Sequence, residues 1–236
     1  MSPKPHWTPD DIDWGTFDAA RVDPSLLAVI KTAALVEANA GDYVAYLRAV
    51  FADNPVLQVV IAGWGAEECQ HGTVLGRWAA LADPAFDPAA ALARFQAGYH
   101  LPPGNEGSVR GSRALELVAR QVVETGTSSF YSALRDAADE PVLKAIAARI
   151  AADEFRHYKL FADHARRYRA PGVGAALKTV VMRLFETGDE ELGWAWHAAN
   201  AAPDARCEPH RAARAYNAQV ARLYRPAHVE NAVRML

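Results

Sequence analysis

The chain carries one plan twice. From Glu37 the sequence runs to "ADNPVL" at 52–57 and on to "AEECQH" at 66–71; from Glu124 it runs to "ADEPVL" at 138–143 and on to "ADEFRH" at 152–157. The spacings agree almost residue for residue. Glu37 to Asp53 is 16 residues and Glu124 to Asp139 is 15, while Pro55 to Glu68 and Pro141 to Glu154 are both 13. In helices that rise 1.5 Å per residue, each arm is roughly 20 Å long. Folding at the proline turn therefore brings the leading glutamate and the E-x-x-H to one level. Two such hairpins predict four helices that meet in a shared layer.

The text around the repeat predicts an all-α chain. Ala, Leu, Arg and Glu dominate, and Pro and Gly fall in clusters rather than at the short, regular spacing of strands and hairpins. Asp or Asn followed by Pro reads as an N-cap with proline in the first turn. On that basis a first helix opens near Pro24 and continues to "ADNP", and a second runs from Pro55 to about Asp83. A long connection, 83–108, holds one short helix from Pro88 to Ala97 and the loop "HLPPGNEGS". A third helix spans Val109 to Ala137 and a fourth Pro141 to about Tyr168. Beyond "APGVG" we expect a helix from Ala175 to Ala201, interrupted near Gly188, and another from Pro209 to Tyr224. The expectation is a single domain, 1–236, with a four-helix bundle over 24–168 and a helical extension over 169–236.

Charge and cysteine content narrow the function classes. Lys plus Arg total 25 and Asp plus Glu 28, giving a net charge of −3 without a long basic or acidic block, so neither nucleic acid nor membrane is an expected partner. The 2 cysteines, Cys69 and Cys207, form no C-x-x-C and point to no disulfide scaffold or thiolate metal site. No signal-peptide core and no run of about 18 apolar residues appears, so we expect a cytoplasmic protein.

Residues at i and i+3 project from one helix face, so Glu68 with His71, and Glu154 with His157, can each present an oxygen and a nitrogen to one point. Chance easily supplies a single E-x-x-H. Two of them at matched positions in duplicated hairpins, each preceded by a glutamate at the right height, are another matter. Glu37, Glu68, His71, Glu124, Glu154 and His157 make the ligand set of a di-iron or di-manganese carboxylate site in a ferritin-like bundle. Four carboxylates balance two divalent ions, and the neutral imidazoles keep the net charge tolerable; iron, manganese and a mixed pair all suit such ligands. Thr127, one turn after Glu124, is placed either to act on oxygen or a proton or to bond back to its own helix. Asp153 is placed either to accept a hydrogen bond from a ligand imidazole or to stand as a solvated charge.

These stretches resemble the soluble acyl-carrier-protein desaturases. "WGAEECQHG", 64–72, is similar to that family's W-x-A-E-E-x-x-H-G, "IAADEFRH", 150–157, to its second E-x-x-H segment, and "ETGT", 124–127, to its E-x-x-T. The likeness covers about Glu37 to Leu160. It implies a ferritin-like bundle with a long crossover between helices 2 and 3, two iron ions, an external donor such as a ferredoxin or flavin reductase, and dioxygen-dependent, desaturase- or hydroxylase-like oxidation of a small aliphatic substrate that can be carrier-linked. By the same resemblance Thr127 assists oxygen chemistry, and Trp64, His71 and Asp153 match an electron path. The chain is shorter than the plant desaturases, and in size it is also similar to the aldehyde-deformylating oxygenases and the tRNA-hydroxylating di-iron monooxygenases. The alternative reading is a ferroxidase or iron-handling protein of the ferritin or rubrerythrin kind, with no organic substrate.

Outside the ligand set, Tyr43, Tyr46, Phe130 and Tyr131 read as core aromatics in preference to a tunnel lining. Cys69 reads as a small buried hydrophobe, and His164 as a packing or surface residue. Trp194, Trp196 and His197 read as a seal over the bundle or as the subunit contact of a homodimer. The tail from Ala221 reads as a solvated helix face.

Overall fold

Asp–Pro and Asn–Pro steps start the helices where the sequence puts them. The computed structural model describes residues 6–100, 107–185, 190–202 and 204–235. Within these, three short 3-10 turns (Pro9–Asp11, Trp14–Thr16, Ala19–Arg21) precede α1 (Pro24–Ala38), α2 (Ala40–Val50), α3 (Pro55–Ala82), α4 (Pro88–Gly98), α5 (Arg113–Ala137), α6 (Pro141–Ala165), α7 (Val173–Phe185), α8 (Glu190–Asn200), α9 (Pro209–Val220) and α10 (Pro226–Met235). The described residues are all helix, turn or irregular, with no strand. Asp23, Asn54 and Asp87 accept hydrogen bonds from the free amides of α1, α3 and α4, satisfying donors that a helix start leaves orphaned. At α6 the cap is Glu140, one residue nearer the proline than Asp139.

Three parts of the helix layout differ from the sequence reading. The first expected helix is two, because Asn39 leaves helical geometry at φ −88°, ψ 11° and its amide oxygen is held by the Gln96 side chain at 3.1 Å. Gly72 of α3 lies against this break: a Cβ there would sit 2.5 Å from the Ala38 nitrogen, so only glycine permits so close an approach. α5 starts at Arg113 rather than Val109, because Gly111 adopts φ +86° and Ser112 then caps the Leu115 amide at 3.2 Å. α9 stops at Val220, and the tail folds back as α10, whose buried His228 meets Asp136 of α5 at 3.0 Å. The expected interruption near Gly188 and most of the "HLPPGNEGS" loop lie outside the described residues.

α1 packs on α3, α5 on α6, and α3 faces α6, while α7 and α10 flank α5 and α8 lies on α1, α4 and α9. The apolar interior divides in two. One cluster gathers Val74, Leu75 and Trp78 of α3, Phe130 to Leu134 of α5 and Val142 to Ala151 of α6; the other gathers Leu57, Ile61 and Trp64 of α3 with Leu117 and Phe161. Each fully buried Leu, Ile or Phe contributes about 1.5–3 kcal/mol. The helix segments between the clusters carry Glu68, His71, Glu124, Glu154 and His157, so two dry layers enclose a polar one. No described helix is long and apolar enough to cross a membrane.

Candidate metal centre

All six residues singled out by the repeat converge in that layer. Glu37 comes from the last turn of α1, Glu68 and His71 from α3, Glu124 from α5, and Glu154 and His157 from α6; their exposures run from 0% to 7%, so water does not solvate them freely. They form two groups. Glu37, Glu68, His71 and Glu154 offer ligand atoms that all lie within 4.8 Å of one another, and so do Glu68, Glu124, Glu154 and His157. Glu68 and Glu154 belong to both. Each group could hold a metal ion.

His71 Nδ1 lies 3.2 Å from Glu154 Oε1, 3.8 Å from Glu37 Oε2 and 3.9 Å from Glu68 Oε2. His157 Nδ1 lies 3.0 Å from Glu68 Oε1, 3.6 Å from Glu124 Oε2 and 3.8 Å from Glu154 Oε2. Despite these short approaches, both Nδ1 atoms and Glu68 Oε1, Glu124 Oε1 and Glu154 Oε1 lack a hydrogen bond. Buried polar atoms rarely go unpaired. Donors that crowd together without aligning on one another are spaced as ligands of a common ion are, about 3 Å apart when metal–ligand bonds are about 2.1 Å. The donor set therefore fits a pair of divalent ions.

The outer nitrogens complete the case. His71 Nε2 meets Asp153 Oδ2 at 3.0 Å, and His157 Nε2 meets Glu67 Oε2 at 2.7 Å. A carboxylate on Nε2 holds the hydrogen there and leaves the Nδ1 lone pair facing the acids, the tautomer a metal needs. The pattern is crossed: the acid preceding the ligand glutamate on α3 orients the histidine of α6, and its counterpart on α6 orients the histidine of α3. Arg156 ties the two acids together, reaching Glu67 at 3.3 Å and pairing closely with Asp153.

Charge in the metal-free layer is correspondingly strained. Burial would lower both imidazoles, but the surrounding carboxylates outweigh it and hold His71 and His157 well above the ordinary histidine range. Burial, reinforced by Glu154 and Glu37, pushes Glu68 well up, and burial pushes Glu124 up to about 7. Glu154, flanked by both imidazoles, is held below its usual range in spite of burial. Asp153 and Glu67 are likewise depressed against burial by the histidines and Arg156.

Thr127 makes the bond back to its own helix and also reaches a carboxylate. Its hydroxyl lies 3.2 Å from the Val123 and Glu124 carbonyls and closest, at 2.7 Å, to Glu154 Oε2. The Tyr131 hydroxyl donates to Glu37 Oε1 at 2.5 Å. Asp153 takes its indole partner from Trp7, whose Nε1 donates at 2.7 Å while its ring stacks on His71 at 6.1 Å and 11°. Trp64, one turn before Glu68 and part of the same surroundings, is edge-on to Phe161 with its Nε1 unpaired. Sequence reasoning missed Glu67, although the repeat makes it the counterpart of Asp153. It also missed Trp7, which sits in a stretch with no periodicity to read.

A cavity of about 310 Å³ adjoins the acids. Thr127, Glu37, Glu68, Glu124 and Glu154 form one wall, and the remainder is mostly apolar, including Val36, Val123, Phe130 and Val220. Tyr43, Phe130 and Tyr131, expected as core aromatics, also line this space; Tyr46 instead donates to Glu116 at 2.6 Å. Tyr216, Val220 and Tyr224 close it from the C-terminal extension, for which the sequence had suggested no role at the site. Trp196 packs edge-on against Tyr216, and Trp194 covers Gly98 of α4. His164 is buried. Cys69 is exposed, not a buried hydrophobe, because its neighbours Glu68 and His71 claim the inward face of α3. No protein-family model matches the chain, and no curated protein is significantly similar to it.

Proposed function

We propose that the chain is a ferritin-like di-iron oxidase: a four-helix bundle with a long crossover, α1, α3, α5 and α6 holding two ions, that oxidises an aliphatic substrate with dioxygen and electrons from a cytoplasmic donor such as a ferredoxin or a flavin reductase. The observation that carries this reading is the pair of overlapping donor groups, sharing Glu68 and Glu154, set against an apolar cavity. Two iron ions bound there would supply dioxygen activation and the oxidising power to break a carbon–hydrogen bond. Manganese or a mixed pair suits the same ligands.

The protein's own groups have separable tasks. Glu37 and His71 would hold one ion, Glu124 and His157 the other, and Glu68 and Glu154 would reach both. Tyr131 fixes the Glu37 carboxylate, and Thr127 holds a hydroxyl between Glu154 and the cavity, where it can pass a proton to or from that carboxylate. The apolar walls keep water from the acids and receive a hydrocarbon group. The line from Trp7 through Asp153 to His71 offers electrons a route inward. A ferroxidase would need a polar entry for iron, and the apolar cavity beside Thr127 favours an organic substrate instead.

Anaerobic loading with ferrous iron tests the reading. We expect about two irons per chain and an absorbance change when dioxygen is admitted, with both lost in Glu154→Ala. Iron content at background in the natural sequence would sink the proposal.

A further inference from the structure

Arg120 lies on α5 one turn before Glu124, lines the same cavity, and is only 6% exposed. Its guanidinium sits 5.0 Å from the centroid of the Tyr43 ring, yet its Nε has no hydrogen-bond partner and no described carboxylate pairs with it. A guanidinium does not shed its proton to suit burial, and a buried cation without a counter-charge is costly. The acids nearby are engaged elsewhere. Glu191 accepts the Tyr43 hydroxyl at 2.5 Å, Glu116 accepts the Tyr46 and Ser108 hydroxyls at 2.6 and 2.7 Å, and Glu124 faces His157. The cavity thus presents two arginines, Arg120 beside Tyr43 and Arg183 on α7, together with Glu191, acids that suit metal at another place, and hydrocarbon between. Of the two arginines, Arg120 is the one on the helix that carries Glu124.

We infer that Arg120 anchors the carboxylate of a free, medium-chain acid whose apolar body fills this cavity. The inference rests on the oxidase reading for its purpose but not for its geometry. The planar fork of a guanidinium matches a carboxylate with two parallel hydrogen bonds. At about 310 Å³ the space is near the small end of ligand pockets, which suits a medium chain. A carrier-linked thioester has no anionic head to offer Arg120, so the substrate class is the free acid rather than the acyl carrier.

Calorimetric titration under dinitrogen, with octanoate, octanol and the neutral thioester S-octanoyl-N-acetylcysteamine, tests this on metal-loaded and metal-free protein. We expect octanoate to bind about tenfold or more tightly than the other two, with or without metal. Arg120→Met should erase that preference and Arg120→Lys retain part of it, while metal content and helicity stay unchanged in both. Equal affinity for the three ligands, or a preference that survives in Arg120→Met, overturns the inference. A preference seen only with metal also overturns it, since the carboxylate is then held by the ions. If Arg120→Met does not fold, Arg120→Gln takes its place and must erase the preference in the same way; a preference that survives there overturns the inference. Iron content, measured on the same samples, tests the oxidase reading separately, so either can fail alone.

Discussion

A buried imidazole among acids binds metal only if something fixes which nitrogen carries the hydrogen, and here Glu67 and Asp153 do so from opposite hairpins. Glu67→Gln and Asp153→Asn preserve shape but remove the charge that favours an Nε2 hydrogen. Each should weaken metal binding about tenfold to a hundredfold, read by competition with a chelator, with little change in helicity. Asp153 was legible in the sequence as a candidate because it adjoins a ligand. Glu67 was equally legible once the repeat is aligned, since "AEECQH" and "ADEFRH" put an acid in the same place. Trp7 was not: its partner Asp153 lies 146 residues away, and local pattern carries no information about such a contact. Arg120 was hidden for a related reason, since one arginine among apolar helix residues reads as a solvated charge until its burial is known.

At the scale of the helices, proline and its capping neighbour announced the starts, because a missing amide costs nothing in the first turn and a preceding oxygen satisfies the exposed donors. The break at Asn39 was not announced, since it depends on α3 pressing Gly72 against Ala38. The cap of α6 joins the two hairpins. Glu140 accepts from the Val142 and Leu143 amides and from Trp78 Nε1 of α3 at 2.7 Å, all in a buried setting. Glu140→Ala should therefore cost about 2–4 kcal/mol, the sum of a lost cap and an indole left without an acceptor. Denaturant unfolding measures it. A loss no larger than that of an exposed cap would mean the Trp78 bond contributes nothing.

Across the whole molecule, apolar clusters above and below hold the acids in a layer that neither half could shield alone. The metal-free protein should feel that arrangement in its pH response. Glu124, pushed up to about 7, and Glu68, also raised by burial, favour the protonated form in the fold. Their stabilising effect is complete below the unfolded value near 4.5 and is lost as pH rises through the folded values. The raised histidines act in the same direction, losing their contribution as pH climbs through their own folded values. We expect the melting temperature of metal-free protein to fall between about pH 5 and pH 8, by on the order of a few kcal/mol in stability, and divalent metal to cancel the fall. The duplication made this layer legible, but the wall that α9 adds to the cavity was not, because Tyr216 and Val220 belong to no repeat. Trp7, for its part, has a meaning for synthesis. It is made before α1 to α6, and its hydrogen bond to Asp153, 146 residues further on, forms only after α6 has been made. The first described segment of the chain is thus fastened late, and a nascent chain can gather its acids before the indole shuts the wall behind them.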